Sequence, residues 1–227
     1  MGKGIFVTGT GTDVGKTFVT GLIIKKLKEE GLNPGYYKAA MSGNERGEDG
    51  SLIPGDALWV KNVSGIEQSL DSMCPYVYEH AYSPHLASRI EGNPVELPVV
   101  MEAYEKVKAQ YDYITVEGSG GIICPICFDE ARIGLQDVIN EMGLDCILVA
   151  DAGLGTINSV VLTHEYMKSR KINIKGIIFN NYIAGNIMHE DNIRMCEHLT
   201  GLLTLAKVAK DDTELDIDIN ILTAIYQ

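Results

Sequence analysis

The stretch Ile5-Phe6-Val7-Thr8-Gly9-Thr10-Gly11-Thr12-Asp13-Val14-Gly15-Lys16-Thr17 decides the fold. Ile5 to Thr8 is a short apolar, β-branched run that reads as a buried strand. A glycine-rich loop follows, and the chain after Gly15 takes a helical pattern up to Gly31, where a glycine suits the helix C-terminus. Strand, glycine loop and Gly-Lys-Thr opening a helix is the context of a phosphate-binding loop. Glycines let several backbone N–H groups point at one phosphate, and the helix N-terminus adds partial positive charge there. Lys16 would then reach the terminal phosphates, and the Thr17 hydroxyl would be a magnesium ligand. The spacing is longer than the common pattern, because position 10 is Thr10 and the flanking glycines, Gly9 and Gly15, enclose five residues.

Working outward, short apolar runs alternate with helical patterns and no internal repeat intervenes. Strands are expected at Ile5–Thr8, Gly35–Lys38, Tyr113–Glu117, Cys146–Ala150, Gly176–Asn180 and Leu202–Val208. Helices are expected from Gly15 and around Pro98–Gln110, Leu135–Met142, Ile157–Ser169 and His189–Leu199. This alternation predicts an α/β, P-loop NTPase-like fold: one domain over 1–227 with a mostly parallel central sheet and helices on both faces. The glycine-rich, charged segment from Gly43 to Gly55 reads as a mobile surface loop, and Asp211-Asp212-Thr213-Glu214 as a solvated acidic stretch before a short last helix.

With 227 residues, 45% of them hydrophobic and 22% charged, the chain has the balance of a globular protein with a substantial core. Its formal net charge of -12 argues against nucleic acid or an anionic membrane as partner. The N-terminal Met1-Gly2-Lys3-Gly4 leads straight into a strand without a signal-peptide pattern, and no apolar run approaches a membrane span. An odd set of five cysteines fits free thiols, so the expected location is cytoplasmic. Cys124-Pro125-Ile126-Cys127 is a lone pair without a second one or a nearby histidine, a weak zinc or redox signal.

Three further strand ends carry polar groups. Gly35-Tyr36-Tyr37-Lys38 ends in a lysine which, in an open parallel sheet, should lie beside the phosphate loop. Tyr113-Ile114-Thr115-Val116-Glu117 ends in a carboxylate before the glycine-rich Gly118-Ser119-Gly120-Gly121, suited to Mg²⁺ opposite that loop. Cys146-Ile147-Leu148-Val149-Ala150-Asp151 ends in a rival acid, and sequence alone does not choose between Glu117 and Asp151. Asp56 opens a helix-like stretch and reads as an N-cap when taken alone.

The run from Val7 to Thr17 resembles the start of dethiobiotin synthetases, which have this loop spacing and an acid at the place of Asp13. The resemblance runs from the loop to about Asn181 and weakens beyond. Partition-type and septum-site ATPases, the alternative reading as nucleotide switches, carry a signature lysine where Gly11 stands here. The resemblance implies an ATP-dependent cyclo-ligase acting on 7,8-diaminopelargonic acid, CO2 and ATP, with Mg²⁺, as a homodimer. It implies catalytic roles for Thr12, Lys16 and Lys38, and a metal set of Thr17, Asp56 and Glu117. Asp13, Val14, Gly15, Lys16, Thr17, Asp56, Glu117, Gly118, Gly120, Asn180 and Asn181 would bind nucleotide, with Asn180 at the adenine edge. Ser42, Ser83 and Pro84 would line the diamine site, and Gly153, Leu154, Gly155 and Asn158 would receive the substrate carboxylate across the dimer interface.

Overall fold

The computed structural model describes residues 2–129 and 131–227; Met1 and Glu130, both inside the expected 1–227 domain, lie outside the described residues. Among the described residues, one sheet takes its strands from nearly the whole length of the chain: β1 (Lys3–Gly9), β2 (Pro34–Lys38), β3 (Tyr113–Glu117), β4 (Cys146–Asp151), β5 (Ile174–Asn180) and β6 (Thr204–Lys207). All neighbours pair in parallel, in the spatial order β6-β5-β4-β1-β3-β2. These are the six expected strands, with no end displaced by more than two residues and Tyr113–Glu117 unchanged. After β1 the chain moves to one side of the sheet and later returns to the other, which opens a crevice at the carboxyl ends around β1.

The helices are α1 (Lys16–Glu29), α2 (Gly55–Ser64), α3 (Leu70–Met73), α4 (Pro84–Glu91), α5 (Leu97–Lys108), α6 (Leu135–Met142), α7 (Thr156–Ser169), α8 (Ile187–Thr200) and α9 (Ile219–Ala224). Strand alternation splits the core in two. Ile5, Val7 and Ile147 meet Leu22 of α1 and Leu222 of α9 on one face. Phe6, Leu148 and Phe179 meet Tyr104, Val138, Met167 and Ile193 of α5 to α8 on the other. α2 lies close on α1 because Gly21 has no side chain: a Cβ there would stand 2.4 Å from the Trp59 ring. Among the described residues no helix is long and apolar enough to cross a membrane.

Two expectations are corrected. The Gly43–Gly55 segment, expected as a mobile surface loop, contains a short antiparallel hairpin, Glu45–Arg46 against Leu52–Ile53. Its base is tied by the buried Asn44 side chain, which donates to the carbonyls of Met41 (3.1 Å) and Tyr78 (2.8 Å) and accepts from the Gly55 N–H (2.9 Å). Asp56 is not the N-cap of α2, a position held by Pro54; it lies in the first turn, with its side chain turned to Lys38.

β2 is an edge strand that carries a site residue, and its open side is covered by a side chain. Gln68, 1% exposed, accepts from the Tyr36 N–H (2.8 Å) and donates to the Tyr36 carbonyl (2.9 Å), standing in for a further strand. Gln68→Ala leaves two buried backbone groups unpaired and is expected to cost about 1–3 kcal/mol for each one that water does not reach. Urea denaturation checks this, and an unchanged midpoint would show that the edge does not depend on Gln68.

Candidate active site

The phosphate loop is held from three directions. The Thr10 N–H donates to the Val149 carbonyl (3.0 Å) and the Gly118 N–H to the Val7 carbonyl (2.9 Å), tying the loop after β1 to β4 and the loop after β3 to β1. On the far side, the Asn180 amide donates to the Val14 carbonyl (3.1 Å). Gly15 caps α1 at φ +87°, and a Cβ there would lie 2.0 Å from the Asn180 amide nitrogen, so both backbone conformation and space demand glycine. No side chain caps α1 and its first turn holds no acid, which leaves the helix N-terminus for an anion.

Lys16, 5% exposed, curls onto this loop and donates to the carbonyls of Gly11 (2.8 Å) and Thr12 (3.1 Å). Burial is the main cause that lowers its pKa, to about 8, and Glu117 only partly offsets it. A phosphate at the helix N-terminus would supply the missing counter-charge.

The register of the sheet builds the second half of the site. Glu117 pairs with Val7 on one side and Lys38 on the other, so the ends of β1, β2 and β3 stand level and these side chains share one face. The Lys38 ammonium lies 2.7 Å from Glu117 Oε1 and 2.5 Å from Asp56 Oδ2, and the Thr17 hydroxyl donates to the same Glu117 oxygen at 2.7 Å. The other oxygen, Oε2, accepts from the Tyr36 hydroxyl at 2.9 Å. Burial alone would lower the pKa of Lys38, but the two carboxylates outweigh it and hold the ammonium above the ordinary lysine value.

Two cavities meet here. One of about 680 Å³ is lined by Asp13, Gly15, Lys16, Thr17 and Glu117, with Phe18 and Trp59 as an aromatic wall. A second of about 400 Å³ is lined by Ser42, Tyr82, Ser83, Pro84, Ser119 and Cys124. Both include Thr12, Lys38, Asp56 and Gly120.

Thr17, Asp56 and Glu117 offer a hydroxyl and two carboxylates, the hard oxygen donors that magnesium takes together with water and phosphate. Among the described residues no cluster of three or more His, Cys, Asp or Glu side chains could hold a metal ion, so a cation here would rely on the nucleotide for further ligands. The set fits Mg²⁺ in that role.

The remaining predicted residues fall elsewhere. Asp151, the rival acid, accepts from the Gly153 N–H (2.6 Å) and the Asn181 amide (2.6 Å); both oxygens brace a turn, and it lines neither cavity. Asn180 is buried with its amide nitrogen on the loop and its Oδ1 unpartnered. Gly118 packs against Phe6 and Leu135. Gly153, Leu154, Gly155 and Asn158 stand at the start of α7 outside both cavities, with Leu154 91% exposed. Cys124 and Cys127 are buried free thiols, as are Cys74, Cys146 and Cys196. Sequence reasoning missed Tyr36, although strand alternation puts it on the face of Lys38, and it missed Phe18 and Trp59.

The strand–loop–helix unit, the level strand-end lysine and carboxylate, and the paired cavities define a protein of the P-loop NTPase class. A family described as an AAA domain matches residues 3–213. The chain is 49% identical over 217 residues to an ATP-dependent dethiobiotin synthetase of Brachyspira hyodysenteriae, covering 95% of this chain and 96% of that one. It is 44% identical to a protein of the same name from Clostridium perfringens, covering 99% and 98%. Among solved structures, the MinC:MinD cell division complex of Aquifex aeolicus shares the fold at a TM-score of 0.59 and 14% identity, covering 98% of this chain and 86% of that one. The chain belongs to the dethiobiotin synthetase family, and the similarity extends past Asn181 to nearly its full length. The switch ATPases share its fold alone.

Because Lys16 titrates near 8 without a phosphate and higher beside one, binding takes up a proton above that pH, and nucleotide affinity should fall as pH rises. The loss approaches about tenfold per pH unit between the free and bound pKa values. Trp59, the single tryptophan, lines the cavity and its fluorescence can report binding. ADP titrations between about pH 7 and pH 9.5 check the slope, and a flat profile would contradict it.

Proposed function

We propose that this protein closes the ureido ring of dethiobiotin, joining 7,8-diaminopelargonic acid to CO2 with conversion of ATP to ADP and phosphate. The observation that carries this reading is the junction at Lys38: a phosphate-type cavity and a second cavity share Thr12, Lys38, Asp56 and Gly120. The family relationship supports it across nearly the whole chain.

An amine of the diamine captures CO2 as a carbamate. A carbamate oxygen attacks the γ-phosphate and ADP leaves, giving a carbamic-phosphoric anhydride. The second amine attacks the carbonyl carbon, the C–O bond to phosphate breaks, and the ring closes. Carbamate and triphosphate are both anionic, so the site must align them and cancel charge. Lys16 and the N–H groups around Gly15 serve the triphosphate. Lys38 stands between the cavities, placed for the carbamate or the transferring phosphoryl group, and Thr12 and Ser42 offer positioning hydroxyls. Thr17, Asp56 and Glu117 would hold Mg²⁺, which when bound neutralises phosphate charge. Asn180 and Asn181 remain the proposed adenine-side contacts, and the Asn180 Oδ1 is buried without a partner.

The reading takes 1–227 as one cytoplasmic domain, supported by one sheet that draws strands from both ends of the chain and by five cysteines that are all free thiols. It also takes a homodimer, because Gly153, Leu154, Gly155 and Asn158 stand apart from the cavities within one chain, and a second copy would bring the uncapped start of α7 to the diamine carboxylate.

Phosphate release from Mg·ATP and bicarbonate, with and without the diamine, together with mass detection of dethiobiotin, tests the activity. Diamine-dependent turnover with that product is expected; the absence of both stimulation and product would reject it. Lys16→Ala or Lys38→Ala should lower turnover about 10²–10³-fold, the scale of one lost charge-stabilising contact. Near-full activity would remove that residue from the chemistry. Leu154→Asp should shift light-scattering mass toward the monomer and raise KM for the diamine more than for ATP; an intact dimer with unchanged KM would count against the shared site.

A further inference from the structure

The ammonium of Lys38 occupies the place between Asp56 and Glu117 that a divalent cation bound by both would need. We propose that Lys38 is an exchangeable counter-ion: it neutralises the two carboxylates until a divalent cation takes them, and it then swings into the second cavity as the cation facing the substrate. This rests on the assignment of Asp56 and Glu117 as metal ligands, and goes beyond a fixed role for Lys38 by linking the loading of one cavity to the charge presented in the other.

The geometry leaves little choice of oxygens. Glu117, 1% exposed, has one oxygen held by the buried Tyr36 hydroxyl at 2.9 Å, so the carboxylate cannot turn away. Its remaining oxygen, Oε1, receives both Lys38 (2.7 Å) and Thr17 (2.7 Å). Thr17 can keep donating to Oε1 while a lone pair faces a cation. Lys38 has no such option, since an ammonium only donates and repels a second cation on the same oxygens. Asp56 is the half-exposed side of the arrangement, with 42% of its side chain open, so a cation can approach from the nucleotide cavity. Lys38 has somewhere to go, because it also lines the cavity of Ser42, Ser83 and Ser119. Its flexible four-carbon stem allows the swing. Tyr36 is then a positioning residue, keeping Oε1 directed at whichever cation is present.

The test is a titration of Mn²⁺ alone by electron paramagnetic resonance, without nucleotide or diamine, on wild type, Lys38→Gln, Lys38→Met and Lys16→Met. Lys16 lines the same cavity but donates to backbone carbonyls rather than to the carboxylates, so its removal controls for a general change in field. Exchange predicts that both Lys38 variants bind Mn²⁺ at least about tenfold tighter than wild type, with a clearly smaller tightening for Lys16→Met, whose ammonium acts on the same carboxylates only through the field. Equal effects at the two lysines, or no tightening at Lys38, would overturn the proposal.

Wild type gives an independent reading if the variants fold poorly. Acetic anhydride labelling of Lys38, followed by mass spectrometry, should rise when Mg²⁺ is added; unchanged labelling at saturating Mg²⁺ would also overturn it. Neither experiment contains the diamine, so a failed synthetase assay and a failed exchange remain separate results.

Discussion

The carboxylate of Glu117 is the point on which the site depends. It is buried at the end of β3, an inner strand, and would be untenable there as an isolated charge. Three groups hold it, Lys38, Thr17 and Tyr36, and Lys38 in turn binds the Asp56 carboxylate. These residues come from β2, the first turn of α1 and the first turn of α2, so one charge network ties three elements around the mouth of the crevice. The parallel register of β1, β3 and β2 puts the charges on a common level, and the short span from Gly9 to Lys16 brings the phosphate loop over them.

The same cluster explains why two cavities adjoin. Lys38 and the half-exposed Asp56 line both cavities, so the boundary between them carries the charges of the cluster. On the loop side the space is bounded by the α1 N-terminus, Phe18 and Trp59. On the other side it is bounded by the turn after β2 and the start of α4, where Ser42 donates to the Tyr82 carbonyl (2.6 Å) and Ser83 contacts His85 (3.0 Å). A reaction that joins an anionic acceptor to a triphosphate needs such a boundary, with cations at the contact and separate walls for the two substrates.

Much of this was legible in the sequence because the informative residues are strand ends. An apolar run that stops at a lysine or a glutamate states where a charge must emerge, and a parallel sheet puts all such ends together. Thus Lys16, Thr17 and Lys38 could be named before their distances were known, whereas strand ends alone left Glu117 and Asp151 as rivals and only the family resemblance favoured Glu117. The braces were not legible. Gln68 closes the edge of β2 from 32 residues away, Asn180 reaches the loop across 166, and Asn44 ties a hairpin that local composition described only as glycine-rich and charged. Each is a polar side chain replacing backbone partners at long range, which no periodicity encodes. Asp56 shows the same limit: its place before a helix suggested a cap, whereas the lysine on the neighbouring strand captures it.

The central claim is that an oxygen derived from CO2 meets the γ-phosphate beside Lys38. Turnover with ¹⁸O-labelled CO2, analysed early enough that exchange with water is small, tests this directly. The mechanism predicts that the released phosphate carries one ¹⁸O, since the carbamate oxygen that attacks phosphorus leaves with it when the ring closes. Unlabelled phosphate accompanying dethiobiotin formation would contradict the mechanism, because the acceptor at the junction would then be water.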